Sequence, residues 1–159
     1  MLKPLLKPVC LVLVSPQIPP NTGNIARLCA VTGCRLILVG PLGFSLEDRH
    51  LRRAGLDYWD KVFLKYYSAF SDYLEAWPST RHWLFSARAQ KSCFCVDYAP
   101  GDHLLFGSET CGLSPEVYAA SPGERLTIPM LEGARSLNLS TAAGIAAYEA
   151  MRQLQFSRN

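Results

Sequence analysis

Three short segments of this 159-residue chain place polar side chains and glycines where a ligand could bind. The first, residues 21–27 (Asn-Thr-Gly-Asn-Ile-Ala-Arg), lies between a predicted strand and a predicted helix. Asparagine amides and backbone N–H groups at a helix start can bind a phosphate or a ribose. Arg27 lies one helical turn beyond Gly23 and Asn24, so its guanidinium could reach the same ligand. An ordinary cap and turn is the alternative, and spacing alone favours it.

The second segment, residues 106–113 (Phe-Gly-Ser-Glu-Thr-Cys-Gly-Leu), joins a predicted strand to a loop with two glycines. Glycine permits a close approach of the backbone to a ligand. The spacing matches neither a dinucleotide fingerprint nor a P-loop, so neither a nicotinamide cofactor nor a nucleoside triphosphate is indicated. A tight turn without a ligand fits the spacing equally well.

The third segment consists of residues 128–130 (Ile-Pro-Met) and residues 135–142, which lead into the last predicted helix. Ser136, Asn138 and Ser140 crowd polar side chains at the start of this helix, where one cap would suffice. The excess indicates a binding site. The alternative is a capping loop in which only Asn138 matters.

The elements that position these segments alternate between strands and helices, which predicts an α/β domain with a largely parallel sheet. Residues 87–101 are predicted to be mostly loop. Apolar runs predict strands at residues 9–14, 35–39, 62–66, 82–86, 104–106 and 126–128. Five helices are predicted. The first begins at a cap formed by Asn21 and Thr22 and ends at Gly33, and the next two cover residues 45–54 and 69–76. The fourth begins at Ser114 and Pro115, and the fifth runs from Leu139 to about Phe156.

Composition excludes several classes of protein. With 49% hydrophobic and 18% charged residues, the chain is expected to form one packed core rather than to be disordered. The six cysteines show no disulfide pattern, and the three histidines show no metal-ligand spacing, so reduced thiols in the cytoplasm and no metal are expected. The N-terminal apolar run is too short for a signal peptide or a membrane span. The basic cluster at residues 49–53 fits either an RNA backbone or a solvated helix face.

Together, the three segments resemble the three motifs of the SPOUT methyltransferases, in the same order and over nearly the whole chain. Residues 41–44, 51–58 and 148–154 are similar to the minimal TrmL (YibK-like, CspR-like) branch of that superfamily. This branch methylates the ribose 2′-hydroxyl of the wobble nucleotide, position 34 (cytidine or modified uridine), in certain leucine tRNAs. Where relatives usually carry Pro and Arg in the central motif, this chain has Ser108 and Cys111.

The resemblance implies one SPOUT domain over residues 1–159, an α/β knot whose mainly parallel sheet is flanked by helices and whose C-terminal third forms a deep trefoil knot. It also implies S-adenosyl-L-methionine as the methyl donor and S-adenosyl-L-homocysteine as the product. By position, the residues implied to line the cofactor site are Ala87, Gly107, Ile128, Ser136, Leu137 and Asn138.

The resemblance further implies that Arg27 is the central catalytic group. A guanidinium is effectively always protonated. We therefore expect Arg27 to hold an RNA phosphate and to stabilise the developing alkoxide, rather than to act as the base. The residues expected to order the catalytic site around it are Asn21, Glu109, Ser136 and Asn138.

The expected partners are a tRNA anticodon arm and a second copy of the chain, which would contact the first helix and the alanine-rich last helix. Small residues permit close helix packing, although the same alanines could pack within one chain. Two other functions remain open: 2′-O-methylation of another tRNA or rRNA position, and RNA binding without catalysis. The presence of Arg27, Glu109, Ser136 and Asn138 argues against the non-catalytic function.

Overall fold

Apolar runs form a sheet in which all strand pairs are parallel. The computed structural model describes residues 1–49, 51, 53 and 61–156. Every residue of the first strand is buried, as expected for a strand that is covered on both faces. The strands are β1 (Cys10–Val14), β2 (Arg35–Val39), β3 (Leu64–Tyr67), β4 (His82–Phe85), β5 (His103–Phe106) and β6 (Glu124–Leu126), in the spatial order β3-β2-β1-β5-β4-β6.

Helices cover both faces of this sheet. They are α1 (Pro19–Thr32), α2 (Phe70–Ala76), α3 (Pro115–Ala120) and α4 (Leu139–Phe156). Helices α1 and α4 share one buried cluster with Leu11 and Leu13, whereas α2 and α3 share another with Val12. The predicted α/β class with a parallel sheet is confirmed. Because both faces are covered, a ligand can reach the sheet only at the strand ends.

Helix α1 does not use the predicted cap. Two prolines occupy its first turn, where their missing N–H groups cost nothing, and Ile18 is the N-cap without a side-chain hydrogen bond. The predicted capping role of Asn21 and Thr22 is therefore wrong, because both lie inside the helix and are buried. The predicted end is confirmed: Gly33 has a φ of 75°, in the left-handed region that favours glycine.

Strand β6 begins and ends two residues before its predicted position. An edge strand has a neighbour on one side only, so it tolerates the exposed Glu124 and Arg125. These charged residues interrupt the apolar pattern from which the strand was predicted. Ile128, which was predicted to belong to this strand, follows it instead. Strand β3 is displaced in the opposite direction: it lies nearer the C-terminus than predicted and ends at Tyr67.

The helix predicted over residues 45–54 is described only in part. Residues 45–48 form a turn in which the Asp48 N–H donates to the Ser45 carbonyl oxygen at 2.9 Å, so the helix does not begin at Ser45. The side chain of Asp48 accepts from the N–H of Leu51 at 3.4 Å. His50, Arg52 and residues 54–60 lie outside the described residues.

The predicted extent of α4 is confirmed, and alanines form most of its buried face. Met151 is buried as well, whereas Tyr148 is 51% exposed. Small residues let α4 approach α1 and the sheet closely, which explains why the alanines form the buried face. The alanines that are completely buried within this chain are Ala143, Ala146, Ala147 and Ala150.

A chain of buried polar side chains links α2 to the amino ends of β4 and β5. The Tyr73 hydroxyl lies 2.7 Å from Nδ1 of His103 and 3.1 Å from Nε2 of His82. Nδ1 of His82 lies 2.8 Å from Oγ of Ser121. All four residues are at least 95% buried, so these hydrogen bonds satisfy groups that water cannot reach.

This cluster predicts a loss of stability in mild acid. Burial lowers the pKa of His103 to about 3, with repulsion from His82 as a further cause, and burial also lowers the pKa of His82. Below pH 6.5 these histidines bind protons in the unfolded chain but stay neutral in the folded chain. Their contribution to stability is therefore present above that pH and is lost as the pH falls. At pH 5 the loss is about 2 kcal/mol for His103 alone. Urea unfolding at pH 7.5 and at pH 5 measures the loss in the free energy of unfolding. His103→Gln should reduce the difference between the two pH values. An unchanged pH dependence in that variant would contradict the assignment.

Candidate active site

The loops that follow β4, β5 and β6 surround a cleft of about 880 Å³. The carboxyl end of a parallel sheet is a common ligand position, and the volume lies within the usual range for small-molecule sites. Asn138 adjoins the cleft without lining it. The other residues predicted for the cofactor site all line the cleft: Ala87, Gly107, Ile128, Ser136 and Leu137.

The 107–113 loop folds so tightly that position 107 has room only for glycine. A Cβ atom there would overlap the backbone of Gly112 and of Leu113. Two hydrogen bonds close the loop: the Ser108 N–H donates to the Gly112 carbonyl at 3.2 Å, and the Gly112 N–H donates back at 2.9 Å. Gly112 has a φ of 70°, a conformation that favours glycine. The shape of the loop therefore requires both glycines.

Glu109 extends from this loop to the start of α1. Its carboxylate accepts from the backbone N–H of Gln17 at 2.7 Å, from the N–H of Ile18 at 3.1 Å and from Nδ2 of Asn21 at 3.1 Å. Helix α1 has no side-chain cap of its own. Glu109 therefore binds the two backbone N–H groups that lead into the helix from about 90 positions away, and its charge also interacts favourably with the helix dipole.

Asn21 joins Glu109 to the last helix. Its Oδ1 accepts from Nδ2 of Asn138 at 3.0 Å. Oδ1 of Asn138 in turn accepts from the N–H of Ser140 at 2.9 Å and from the N–H of Thr141 at 3.3 Å, so Asn138 caps α4. We call the side chains of Glu109, Asn21 and Asn138 the Glu109 network. It connects all three segments that the sequence singled out.

The other two predicted catalytic residues lie apart from this network. Ser136 lines the cleft, in a stretch that is exposed from residue 131 to residue 138. Arg27 lies on the exposed side of α1, together with Asn24, and is not part of the cleft lining. The structure thus places Ser136 beside the predicted cofactor residues and Arg27 on the outer surface of the helix that Glu109 caps.

The charge of the cleft was not foreseen. Among the residues that the structure describes, three arginines line it, Arg88, Arg125 and Arg135, and Glu109 is the one carboxylate in the lining. The guanidinium carbon of Arg125 lies 4.0 Å from the centre of the Tyr118 ring. Tyr118 and Arg125 are close in the sequence, but no sequence pattern indicates their contact, because it depends on how the turn after α3 directs β6. The cleft is therefore positively charged and suited to an anionic group.

All six cysteines are free thiols, and burial raises the pKa of the Cys29 thiol well above its usual value. Within the part of the chain that the structure describes, no group of three or more His, Cys, Asp or Glu side chains is arranged to hold a metal ion. No helix in the same part is long and apolar enough to cross a membrane.

The class of protein that this fold and cleft define is shown by comparison with known families. Residues 8–148 match the SpoU rRNA Methylase family. The match extends from just before β1 into α4 and includes every member of the Glu109 network. The chain belongs to this family of methylases, and the predicted SPOUT-type methyltransferase is confirmed at the level of family and fold.

Two relatives are similar to this chain over nearly their full length. The chain is 45% identical over 150 residues to the tRNA (cytidine(34)-2'-O)-methyltransferase of Polaromonas sp., with 92% of each chain covered. It is 48% identical, with a TM-score of 0.88, to a solved structure described as "Structural insights into the 2-OH methylation of C/U34 on tRNA", covering 94% of this chain and 97% of the other. The fold is also that of the methyltransferase AviRb from Streptomyces viridochromogenes in complex with AdoMet, with a TM-score of 0.86 and 24% identity, covering 95% of this chain and 62% of that one.

Proposed function

We propose that this protein transfers a methyl group from S-adenosyl-L-methionine to the ribose 2′-hydroxyl of the wobble nucleotide, position 34, of leucine tRNAs. The observation that most supports the proposal is the similarity, over nearly the whole of both chains, to relatives named for methylation of cytidine 34. The site agrees with it, because Glu109, which lines a cleft for a small cofactor, also binds Asn21 on the helix that presents Arg27.

The residues of the cleft fit S-adenosyl-L-methionine. Ala87, Ile128 and Leu137 offer apolar contacts for an adenine ring, and the backbone at Gly107 can approach a ligand closely because no Cβ intervenes. When bound, this cofactor supplies an electrophilic methyl group on a sulfonium. We assign Ser136 to the same site because it lines the same cleft.

The tasks left to the protein are alignment of the 2′-oxygen and stabilisation of the charge that develops on it. We assign the second task to Arg27, which also holds the neighbouring phosphate of the RNA. Asn21, Glu109 and Asn138 act as positioning residues, because their hydrogen bonds fix α1 relative to the 107–113 loop and to α4. The cofactor would supply the methyl group to the 2′-oxygen and leave as S-adenosyl-L-homocysteine, and the hydroxyl proton would pass to water.

Methylation assays test the function. The purified protein is incubated with labelled cofactor and either total tRNA or rRNA, and the labelled nucleotide is mapped. We expect a 2′-O-methyl group at position 34 of leucine tRNAs. Label confined to rRNA would support the second candidate, which the family description favours. No label in either RNA, from folded protein that binds the cofactor, would support an RNA-binding module without catalysis.

We propose that the chain forms one domain over residues 1–159 whose C-terminal third is threaded as a trefoil knot, and that the enzyme acts in the cytoplasm. The similarity in fold to a structure of the same family supports this architecture. The threading stays a prediction. Proteolysis of the native protein is expected to give no stable fragment that begins or ends near the middle of the chain.

We also propose that the enzyme is a homodimer that contacts its partner through α1 and α4 and builds a composite surface for the anticodon arm. Val31 on α1 and Tyr148 on α4 are each more than half exposed, which supports an interface at these helices. The buried alanines of α4 are unsuitable for testing it, because a charge there would disrupt the core.

Tyr148→Glu is therefore expected to halve the mass measured by light scattering at micromolar concentration and to weaken tRNA binding, because a charge in an apolar interface must lose its water. Tyr66→Glu is the matched control, since Tyr66 is also a tyrosine of similar exposure but lies on β3. A wild-type monomer that still methylates tRNA would exclude the dimer.

A further inference from the structure

Arg125 combines three properties that indicate a site for a small anion. It lines the cleft, and its guanidinium lies over the Tyr118 ring at 4.0 Å. Its strand β6 is paired with β4, so the backbone beneath it is fixed. Among the described residues, no carboxylate lies within ion-pair distance of it. A charged donor is therefore held in the cleft without an acceptor from the protein.

The other two arginines of the cleft are not held in the same way. Arg88 follows β4 in a short turn, and Arg135 lies in the exposed stretch over residues 131–138. Ordering such a side chain on a ligand costs conformational entropy, whereas a guanidinium already stacked on a ring loses less. Of the three, Arg125 is thus the best prepared for a ligand that is small and fixed.

We propose that Arg125, held by the ring of Tyr118, binds the carboxylate of the methionine part of S-adenosyl-L-methionine. The assignment rests on the proposed function, and it adds a subsite at the wall formed by β6 and α3. The planar guanidinium matches a carboxylate with two parallel hydrogen bonds. Tyr118 is a positioning residue, because its ring holds the guanidinium rather than touching the carboxylate. Arg88 and Arg135 remain available for RNA phosphates.

The test compares two ligands that differ in the carboxylate alone: S-adenosyl-L-methionine and decarboxylated S-adenosylmethionine. Calorimetry gives the dissociation constant of each for the wild type and for Arg125→Gln. Hydrogen bonds to charged groups predict that the variant binds the complete cofactor about 10- to 100-fold more weakly. Its affinity for the decarboxylated compound should not fall. Tyr118→Leu should weaken only the complete cofactor, and Tyr118→Phe should restore its affinity.

Lys91→Gln is the matched control. It removes one positive charge near β6, but Lys91 pairs with Glu124 on the surface and does not line the cleft. Both ligands should therefore bind this variant as they bind the wild type. If Arg125→Gln fails to fold, Arg125→Lys keeps the charge without the planar pair of donors, and it should show the same selective loss with a smaller size.

Three results would overturn the assignment. Equal weakening of both ligands would show a general effect on the cleft. Unchanged affinity for both, with weaker binding of tRNA, would show that Arg125 binds RNA. Failure of the wild type to bind either ligand would refute the proposed cofactor itself, and so is distinguishable from failure of the Arg125 assignment alone.

Discussion

Replacing Arg27 with alanine is expected to lower methyl transfer to tRNA by about 100- to 1,000-fold, the usual cost of removing one donor that stabilises transition-state charge. The affinity for S-adenosyl-L-methionine should not change, because Arg27 does not line the cleft. Arg27 is exposed, so its loss should change the free energy of unfolding little. Single-turnover methylation at saturating cofactor measures the rate, and calorimetry measures the affinity.

A conservative variant and a control sharpen this prediction. Arg27→Lys keeps the charge but not the planar pair of donors, so it should recover only part of the rate. Lys91→Ala, which removes a surface cation outside the cleft, should leave the rate at the wild-type value. Near wild-type turnover by Arg27→Ala would exclude Arg27 as the catalytic group.

Gly107→Ala is expected to abolish measurable binding of S-adenosyl-L-methionine and to destabilise the fold by more than about 2 kcal/mol. The added Cβ would overlap backbone atoms of Gly112 and Leu113, which cannot rotate away as a side chain can. The loop must therefore open, and the wall of the cleft opens with it. Calorimetry and urea unfolding measure the two effects.

Ser108→Ala is the matched control, because it changes the neighbouring residue without adding an atom. It removes the side-chain acceptor that the Cys111 N–H uses at 3.2 Å, which costs about 1 kcal/mol. Cofactor binding should persist in this variant. If Gly107→Ala bound S-adenosyl-L-methionine normally, the loop would have space for a Cβ atom at position 107, and the prediction would be wrong.

Strand positions could be read from the sequence where the strands are central. Both ends of β2 were predicted, because this apolar run lies between Gly33 and Gly40 and is covered on both faces. The edge strand β6 was misplaced, because one open side removes the need for an apolar pattern. Whether the alanines of α4 pack within the chain could not be read from the sequence, because periodicity does not reveal how closely a neighbouring helix approaches.

The candidate site could be predicted in part. The three segments were identified from residue types, and the resemblance supplied the cofactor residues that line the cleft. The cap of α1 could not be found, because Glu109 is remote in the sequence and helix signals are local. The pair formed by Arg125 and Tyr118 was missed for a different reason: the two residues are close in the sequence, but no periodicity indicates how the turn after α3 directs β6.

The Glu109 network also affects what happens during synthesis of the chain. Asn21 leaves the ribosome early, whereas Glu109 and Asn138 are added much later, so α1 lacks its acceptor until most of the chain exists. A product that terminates before residue 138 also lacks α4, which covers part of the apolar surface around Leu11. Exposed surface of this kind promotes aggregation and recognition by chaperones. We therefore expect truncated translation products to be degraded rather than to compete with the finished enzyme for RNA.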